Sequence, residues 1–266
     1  MKLGYGQTSE RDPGFASGWQ ALVATYGTAI VAFVVGIVFA YVAATAYAVF
    51  VRPPSGTTLL GISLVTLQGA AFPLVAYLYL RWRGLNRSFL RVSWPSISDL
   101  AWVVGGYVVA FGLLVAATVA LQYFSVETAS NQAAKTAQQA PWIIPYLIPL
   151  QFLLVGPGEE LLFRGIVQGT LREHFGKWSS ILLASAAFAP AHILALTGSL
   201  QAALASIAVL FVPSIVFGYV YERTGNLAAP ILLHGCYNAT IFTLMYVAAK
   251  YAPQGASGLL GVGFGL

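Results

Sequence analysis

Long apolar segments separated by short polar ones dominate the sequence. A helix that crosses a bilayer needs about 20 mostly apolar residues, and stretches of this length recur along most of the chain. The pattern predicts seven spans, at 21–51, 58–80, 99–124, 143–171, 178–197, 200–221 and 228–249. The least sharply marked boundary is the short hairpin at 197–199. We therefore predict an all-α polytopic transmembrane helix bundle of about seven spans, with an active site within the membrane.

The segments between and around the spans predict the domain organisation. We expect an N-terminal tail at 1–20, three spans with a basic loop at 21–140, a catalytic core at 141–249 and a flexible tail at 250–266. The first apolar stretch exceeds the roughly 7–15 residue core of a secretory signal, so it is expected to remain as a membrane anchor. The polar segment 127–140 is expected to form an extramembrane loop or a surface helix.

Composition and charge support the membrane prediction. Hydrophobic residues make up 58% of the chain and charged residues only 8%, whereas a soluble domain has about a quarter charged residues. The 13 basic residues outnumber the 8 acidic ones, and so sparse an excess fits lipid headgroups better than nucleic acid. The bilayer is therefore an expected partner and nucleic acid is not. The single cysteine, Cys236, excludes an intrachain disulfide and a multi-cysteine metal cluster.

Basic residues in the short loops predict the orientation. With seven spans, the most basic loop and two later turns fall on one side, which the positive-inside rule makes cytoplasmic. Their basic residues are Arg81, Arg83, Arg87, Arg91, Arg172, Lys177 and Arg223. We expect a multi-pass protein of the cell membrane whose site is reached from the cytoplasmic side. The basic loop is interpreted as an orientation signal rather than a specific lipid or substrate site.

Ionisable residues inside the spans mark the candidate site. Six of the eight acidic residues fall in tails, loops or span ends, and the ionisable residues left within spans are Glu159, Glu160, Arg164, His192 and His234. A charged group at bilayer depth costs about 2.5 kcal/mol or more, so such residues are interpreted as functional by default. Because they lie on only three spans and at compatible depths along their helices, we expect them to meet in one cavity.

The two glutamates are predicted to have different roles. Pro157 and its flanking glycines are expected to open a fresh helical segment. Glu160 and Arg164 are four residues apart with the acid first, the favourable order for a helical ion pair, whereas Glu159 points about 100° away. Glu159 is therefore the predicted general base. A buried structural charge cluster is the alternative.

Two histidines and an asparagine complete the predicted site. His192 follows Phe188 by four residues and could hold a water against Glu159, although a lone histidine is often a core residue. Pro190 is expected to bend the helix between them. His234 and Asn238 share one helix face, and both can donate hydrogen bonds to an oxyanion. A polar clamp between helices is the alternative for this pair.

Together the three motifs resemble the CAAX-protease and bacteriocin-processing family of intramembrane glutamate proteases. Glu159-Glu160 with Arg164 resembles its EExxxR motif, Phe188 with His192 its FxxxH motif, and His234 with Asn238 its HxxxN motif. The resemblance covers roughly residues 141–249. It implies a helical membrane endopeptidase that acts on a membrane protein or lipidated peptide, possibly a prenylated CAAX substrate, and needs no cofactor.

The resemblance also implies the role of each residue. Those matching Glu159 and His192 activate water, those matching His234 and Asn238 form the oxyanion site, and Glu160 and Arg164 support them. Two alternatives remain. Two histidines and a glutamate also form a known catalytic zinc site, although HExxH is absent. Buried charges also occur in proton-coupled transporters and in non-catalytic immunity proteins, but no internal repeat supports a transporter.

Overall fold

The computed structural model describes residues 14–251, and within them seven helices are long and apolar enough to cross a membrane. The predicted all-α bundle of seven spans is therefore confirmed, and the chain is an integral multi-pass membrane protein. The spanning helices are α1 (Gly18–Phe50), α2 (Gly56–Trp82), α3 (Ile97–Tyr123), α5 (Pro141–His174), α6 (Lys177–Ala195), α7 (Leu200–Thr224) and α8 (Ala228–Tyr251). The predicted tail at 250–266 lies, apart from its first two residues, outside the described part of the chain.

Two further elements connect the spans on one side. The polar segment 127–140 contains a short helix, α4 (Gln132–Gln139). Ala134 and Ala137 on one face of α4 are buried against the bundle. Of the two predicted forms of this segment, the structure thus shows a surface helix rather than an irregular loop. Just before α4, a strand, β1 (Ser130–Asn131), pairs antiparallel with β2 (Leu196–Thr197).

The spans begin and end at residues with clear capping chemistry. Ser96 caps α3 in a reciprocal capping box with Asp99, which satisfies two backbone donors at the helix start. The helix α7 ends at Gly225, whose φ of 60° is a left-handed conformation that glycine adopts without strain. The local sequence thus determines where these spans stop.

The basic loop and turns lie at the same end of the bundle. Arg83 forms an ion pair of 3.1 Å with Glu173, which joins the loop after α2 to the end of α5. The backbone N–H of Leu227 donates to the carbonyl of Arg91 at 2.9 Å, which joins the same loop to the start of α8. We call this end, formed by the segments 83–96, 175–176 and 225–227, the basic end. The pair of β1 and β2 lies at the opposite end.

Two buried clusters hold the helices together, and α5 connects them. One cluster contains residues of α3, α4, α7 and α8 with the start of α5, and the other contains residues of α1, α2, α6 and the later part of α5. The outer faces of α1 and α3 expose valine and isoleucine side chains such as Ile30, Val104 and Val108. Apolar residues on both faces of a helix are typical of a span with one side against lipid. The middle of α5 therefore lies at the centre of the bundle.

Candidate active site

The helix α5 changes its winding around the glutamates. A short α-helical segment, Gly156–Glu160, lies between two π-helical segments, Gln151–Val155 and Leu161–Gln168. A new α-helical segment therefore begins at Gly156, with Pro157 and Glu159 in its first turn, as expected. The backbone before it is π-helical rather than non-helical, so the chain stays helical throughout. The π-helical turns interrupt the regular hydrogen bonding, and such turns are frequent at functional sites.

Glu160 is fully buried and bound twice at one oxygen, while its Oε2 has no hydrogen-bond partner within the described residues. Its Oε1 lies 3.1 Å from Nη1 of Arg164, which is the predicted ion pair, and 2.7 Å from Nδ1 of His234. Arg164 is also buried, and its Nη2 donates to the carbonyl and the hydroxyl of Ser214, each at 2.9 Å. Two charges taken out of water need partners of this kind, and Arg164 and His234 supply them at Oε1 of Glu160. Glu160 therefore has a supporting environment rather than a free one.

The contacts of Glu159 are longer than those of Glu160. Its Oε2 lies 3.9 Å from Nε2 of His192 and 3.9 Å from Nε2 of His234. This oxygen is buried and has no hydrogen-bond partner within the described residues. The other oxygen, Oε1, accepts a long hydrogen bond of 3.4 Å from Nε2 of Gln68 on α2. Glu159 is thus held at one oxygen and open at the other, between two imidazole rings.

Gly158 brings α2 this close to α5. A Cβ at this position would collide with the carbonyl oxygen of Gln68. Only glycine lets the two backbones cross at this distance, and the crossing places the Gln68 amide beside Glu159. A second close crossing lies at Gly156, where a Cβ would be 3.0 Å from the carbonyl oxygen of Ile231 on α8. These two glycines set α5 against both neighbours of the site.

The ring of His192 is oriented by the end of α6. After Pro190 the helix tightens, and the backbone N–H of His192 bonds to the carbonyls of Ala189 and Pro190. Its Nδ1 lies 3.1 Å from the carbonyl oxygen of Phe188. A carbonyl only accepts, so Nδ1 donates this bond, and in a neutral ring the lone pair of Nε2 then faces Glu159. The helix therefore runs through Pro190 to Ala191 and tightens into a 3₁₀ turn at His192, and a bend at Pro190 remains a prediction.

The two ring nitrogens of His234 have different neighbours. Its Nδ1 lies 2.7 Å from Oε1 of Glu160, the same oxygen that Arg164 binds. Its Nε2 faces the space beside Glu159, 3.9 Å from Oε2. A proton on Nε2 would make this nitrogen a donor toward that space.

The ring of Phe188 lies at the centre of this cluster. Its centroid is 4.7 Å from that of His192 and 6.1 Å from that of His234, and it faces the guanidinium of Arg164 at 4.7 Å. The ring separates the two imidazoles while it contacts both, and its face attracts the guanidinium. The aromatic position of the second motif thus packs all three groups into one layer.

Asn238 occupies a neighbouring position. It lies one turn after His234 on the same face of α8, and its Nδ2 donates to Oε1 of Gln151 at 3.1 Å. Gln151 is buried, and its Nε2 in turn donates to the carbonyl of Leu147. The described residues show no direct hydrogen bond from Asn238 to Glu159 or to the imidazoles. The side-chain amide of Asn238 has two N–H groups. One donates to Gln151 on α5, and the other can donate to a ligand.

Sequence reasoning missed three residues of this environment. Gln68 and Gln151 are amides within apolar spans, and that polarity was the signal that could have indicated them. Ser214 gave no such signal, because a serine in a span often bonds only its own helix. The three residues come from α2, α5 and α7, so the first half of the chain also contributes to the site.

No set of three His, Cys, Asp or Glu residues in the described range 14–251 has an arrangement that could hold a metal ion. In particular, Nδ1 of His234 is engaged by Glu160, and Nδ1 of His192 by a carbonyl. Metal independence of the site remains a prediction.

Comparison with known proteins finds a family similarity in the second half of the chain. Residues 141–240 match the Rce1-like type II CAAX prenyl endopeptidase family. The matched Rce1-like segment contains all three motifs, so the resemblance inferred from them is confirmed. No curated protein and no solved structure matches the chain.

The Rce1-like match supports a CAAX-type intramembrane protease in general. Its description, a prenyl endopeptidase, names a hydrolase of peptide bonds, and the seven apolar helices indicate a bilayer environment for this chain. The matched segment includes α5, α6 and α7 and the first half of α8, which carry Glu159, His192 and His234. Gln68 lies outside the match, on α2.

Proposed function

We propose that this chain is an intramembrane endopeptidase that hydrolyses a peptide bond of a membrane-associated, CAAX-type lipidated protein with water activated by Glu159. One observation carries the proposal. Oε2 of Glu159 faces Nε2 of both His192 and His234 at 3.9 Å, while Glu160 beside it is neutralised by Arg164.

The distances fit a water held between these groups. Two acceptors 3.9 Å apart can both lie about 2.8 Å from one water molecule, which is a normal hydrogen-bond length. Such a water donates one hydrogen to Glu159 and the other to Nε2 of His192. Its lone pair is then free to attack the carbonyl carbon, and Glu159 takes the proton as general base.

The remaining groups stabilise the tetrahedral intermediate. The carbonyl oxygen gains negative charge as the C–O bond forms, and Nε2–H of His234 and the second N–H of Asn238 are the donors for it. Collapse breaks the C–N bond, and the proton held by Glu159 passes to the leaving amine. One water is thus added across the peptide bond, with an acid and an amine as products.

The test is cleavage of quenched fluorogenic peptides, prenylated and unprenylated, by protein purified in detergent. Glu159→Gln keeps the size of the side chain but not its basicity, so we expect kcat to fall about 100-fold or more. Glu127→Gln is the matched control, because Glu127 is exposed at the opposite end from the basic loop, and it is expected to retain full activity.

A parallel reaction with a zinc chelator separates the two catalytic chemistries. Activity that is lost in Glu159→Gln but unchanged by the chelator supports the glutamate mechanism. Activity that the chelator removes and added zinc restores contradicts it in favour of a zinc protease. If Glu159→Gln cleaves as fast as the unmodified protein, Glu159 is not the general base.

A further inference from the structure

A cavity lies at the basic end of the bundle, away from the candidate active site. It lies between α2, the loop 83–96 and the π-helical part of α5, and its volume is about 650 Å³. None of Glu159, His192, His234 and Asn238 lines it. Its apolar part is formed by Pro73, Ala76, Tyr77, Leu80, Leu90 and Leu161. We call it the α2–loop cavity.

Two arginines, Arg87 and Arg91, line the mouth of the cavity, and none of the described residues that line it is acidic. Arg87 is exposed and has no hydrogen-bond or ion-pair partner within residues 14–251. The described acidic residues of this end are bound elsewhere: Glu173 to Arg83, Glu222 to Arg172, and Asp99 to Ser96 and Asn226. The mouth is therefore positively charged.

Arg91 is held rigidly in position. Its φ of 51° is unusual for a residue other than glycine, and the hydrogen bond from the N–H of Leu227 to its carbonyl keeps the backbone there. Its guanidinium lies over the ring of Tyr221 at 4.8 Å. A guanidinium stacked on a ring keeps in-plane N–H groups that match the oxygens of a phosphate. A loop that served only to orient the protein in the membrane would need positive charge but not a fixed guanidinium.

The depth of the cavity fits a lipid rather than a soluble ligand. Trp82 ends α2 and Trp94 lies in the loop 83–96, and both are exposed, Trp94 at 96%. Exposed tryptophans are typical of the headgroup level of a bilayer. Tyr77, half exposed on α2, continues the apolar wall from that level toward the membrane interior. A ligand here meets positive charge at headgroup level and apolar surface below it.

We propose that the α2–loop cavity binds one anionic phospholipid of the leaflet at the basic end. Its phosphate lies between Arg87 and Arg91, and an acyl chain lies along Pro73, Ala76 and Tyr77. The proposal does not depend on the chemistry at Glu159. It goes beyond the general attraction of basic loops to anionic leaflets, because it assigns one lipid to one preordered site.

The test is native mass spectrometry of the full chain released from micelles that contain either dioleoyl-phosphatidylglycerol or dioleoyl-phosphatidylcholine at the same mole fraction. We expect one tightly bound phosphatidylglycerol and much weaker binding of phosphatidylcholine. In the double variant Arg87→Gln/Arg91→Gln, the affinity for phosphatidylglycerol is expected to fall roughly tenfold or more. Val92→Trp keeps both charges but narrows the mouth, and it is expected to weaken binding as well.

Arg81→Gln is the matched control. Arg81 is exposed near the same end but does not line the cavity, so its loss is expected to change the affinity less than twofold. Equal binding of the two lipids, or an equal loss of affinity in Arg81→Gln, overturns the proposal in favour of diffuse attraction. Displacement of the lipid by millimolar inorganic phosphate also overturns it, since the site then recognises phosphate alone.

Discussion

Adjacent residues of one helix can differ completely in what they are able to do. Glu159 and Glu160 are neighbours in sequence, and each has one buried oxygen without a hydrogen-bond partner among the described residues. The other oxygen of Glu160 is bound by Arg164 and His234, whereas that of Glu159 accepts only a long hydrogen bond from Gln68. The 100° rotation between them gives each glutamate a different set of neighbouring helices. The environment, rather than the residue type, separates a supporting carboxylate from a candidate base.

At the same scale, Gln151 is expected to position Asn238. Gln151→Leu replaces the amide that accepts from Asn238 with an apolar side chain of similar size. If Asn238 acts in the oxyanion site, kcat should fall about tenfold while KM changes little, because the contact would matter most in the transition state. Peptide cleavage kinetics of the purified variant measure this.

A double variant provides the control for Gln151. If Gln151 acts through Asn238, adding Gln151→Leu to Asn238→Ala should cause little further loss, since the two residues act as a unit. Independent losses that multiply in the double variant would show that Gln151 does not act through Asn238.

At the scale of elements, close crossings of helices build the site. The π-helical turns of α5 and its glycines let α2 and α8 approach within backbone contact. Helices in lipid associate through such small-residue contacts, because the surrounding chains are as apolar as the helices themselves. Positions without a side chain thus determine which side chains meet.

Gly158→Ala tests this crossing. Alanine favours a helix, but here its Cβ would collide with the backbone of α2, which cannot move aside as a side chain could. We expect a loss of about 1–3 kcal/mol in the free energy of unfolding in detergent micelles, together with reduced activity. Gly112→Ala on α3 is the control, since nothing lies within 4 Å of a Cβ there, and it should be neutral or slightly stabilising. Equal stability of the two variants would contradict the crossing.

At the scale of the whole molecule, the two ends of the bundle differ in charge and in the segments that pack over the helix ends. At the basic end, the loop after α2 packs against the start of α8. Leu227, just before this helix, and Ala229, in its first turn, are fully buried. At the other end, β1, β2 and α4 cover the helix ends. His192 lies close to this second end of α6, although Glu159 lies near the middle of α5.

The predicted orientation can be measured with single cysteines in a Cys236→Ala background. Ser98→Cys lies at the basic end and Glu127→Cys at the opposite end, and both positions are exposed. The positive-inside rule predicts that a membrane-impermeant thiol reagent labels Glu127→Cys in intact cells and Ser98→Cys only after permeabilisation. The reverse pattern would invert the orientation and place the basic loop outside.

The sequence by itself determined the fold class, the number of spans and the residues that form the three motifs. Hydrophobic length reports membrane spans directly, because each must cross the same thickness of hydrocarbon. The ion pair of Glu160 and Arg164 was also predictable, since it depends on spacing within one helix.

Only the tertiary structure decided how the helices meet. The approach of Gln68 to Glu159, the bond from Arg164 to Ser214 and the bond between His234 and Glu160 all join residues far apart in sequence. The continuity of α5 through Pro157 depends equally on its neighbours, because packing can hold a π-helical turn that local propensity does not specify. Contacts between helices follow from crossing geometry, which a pattern along one helix does not contain.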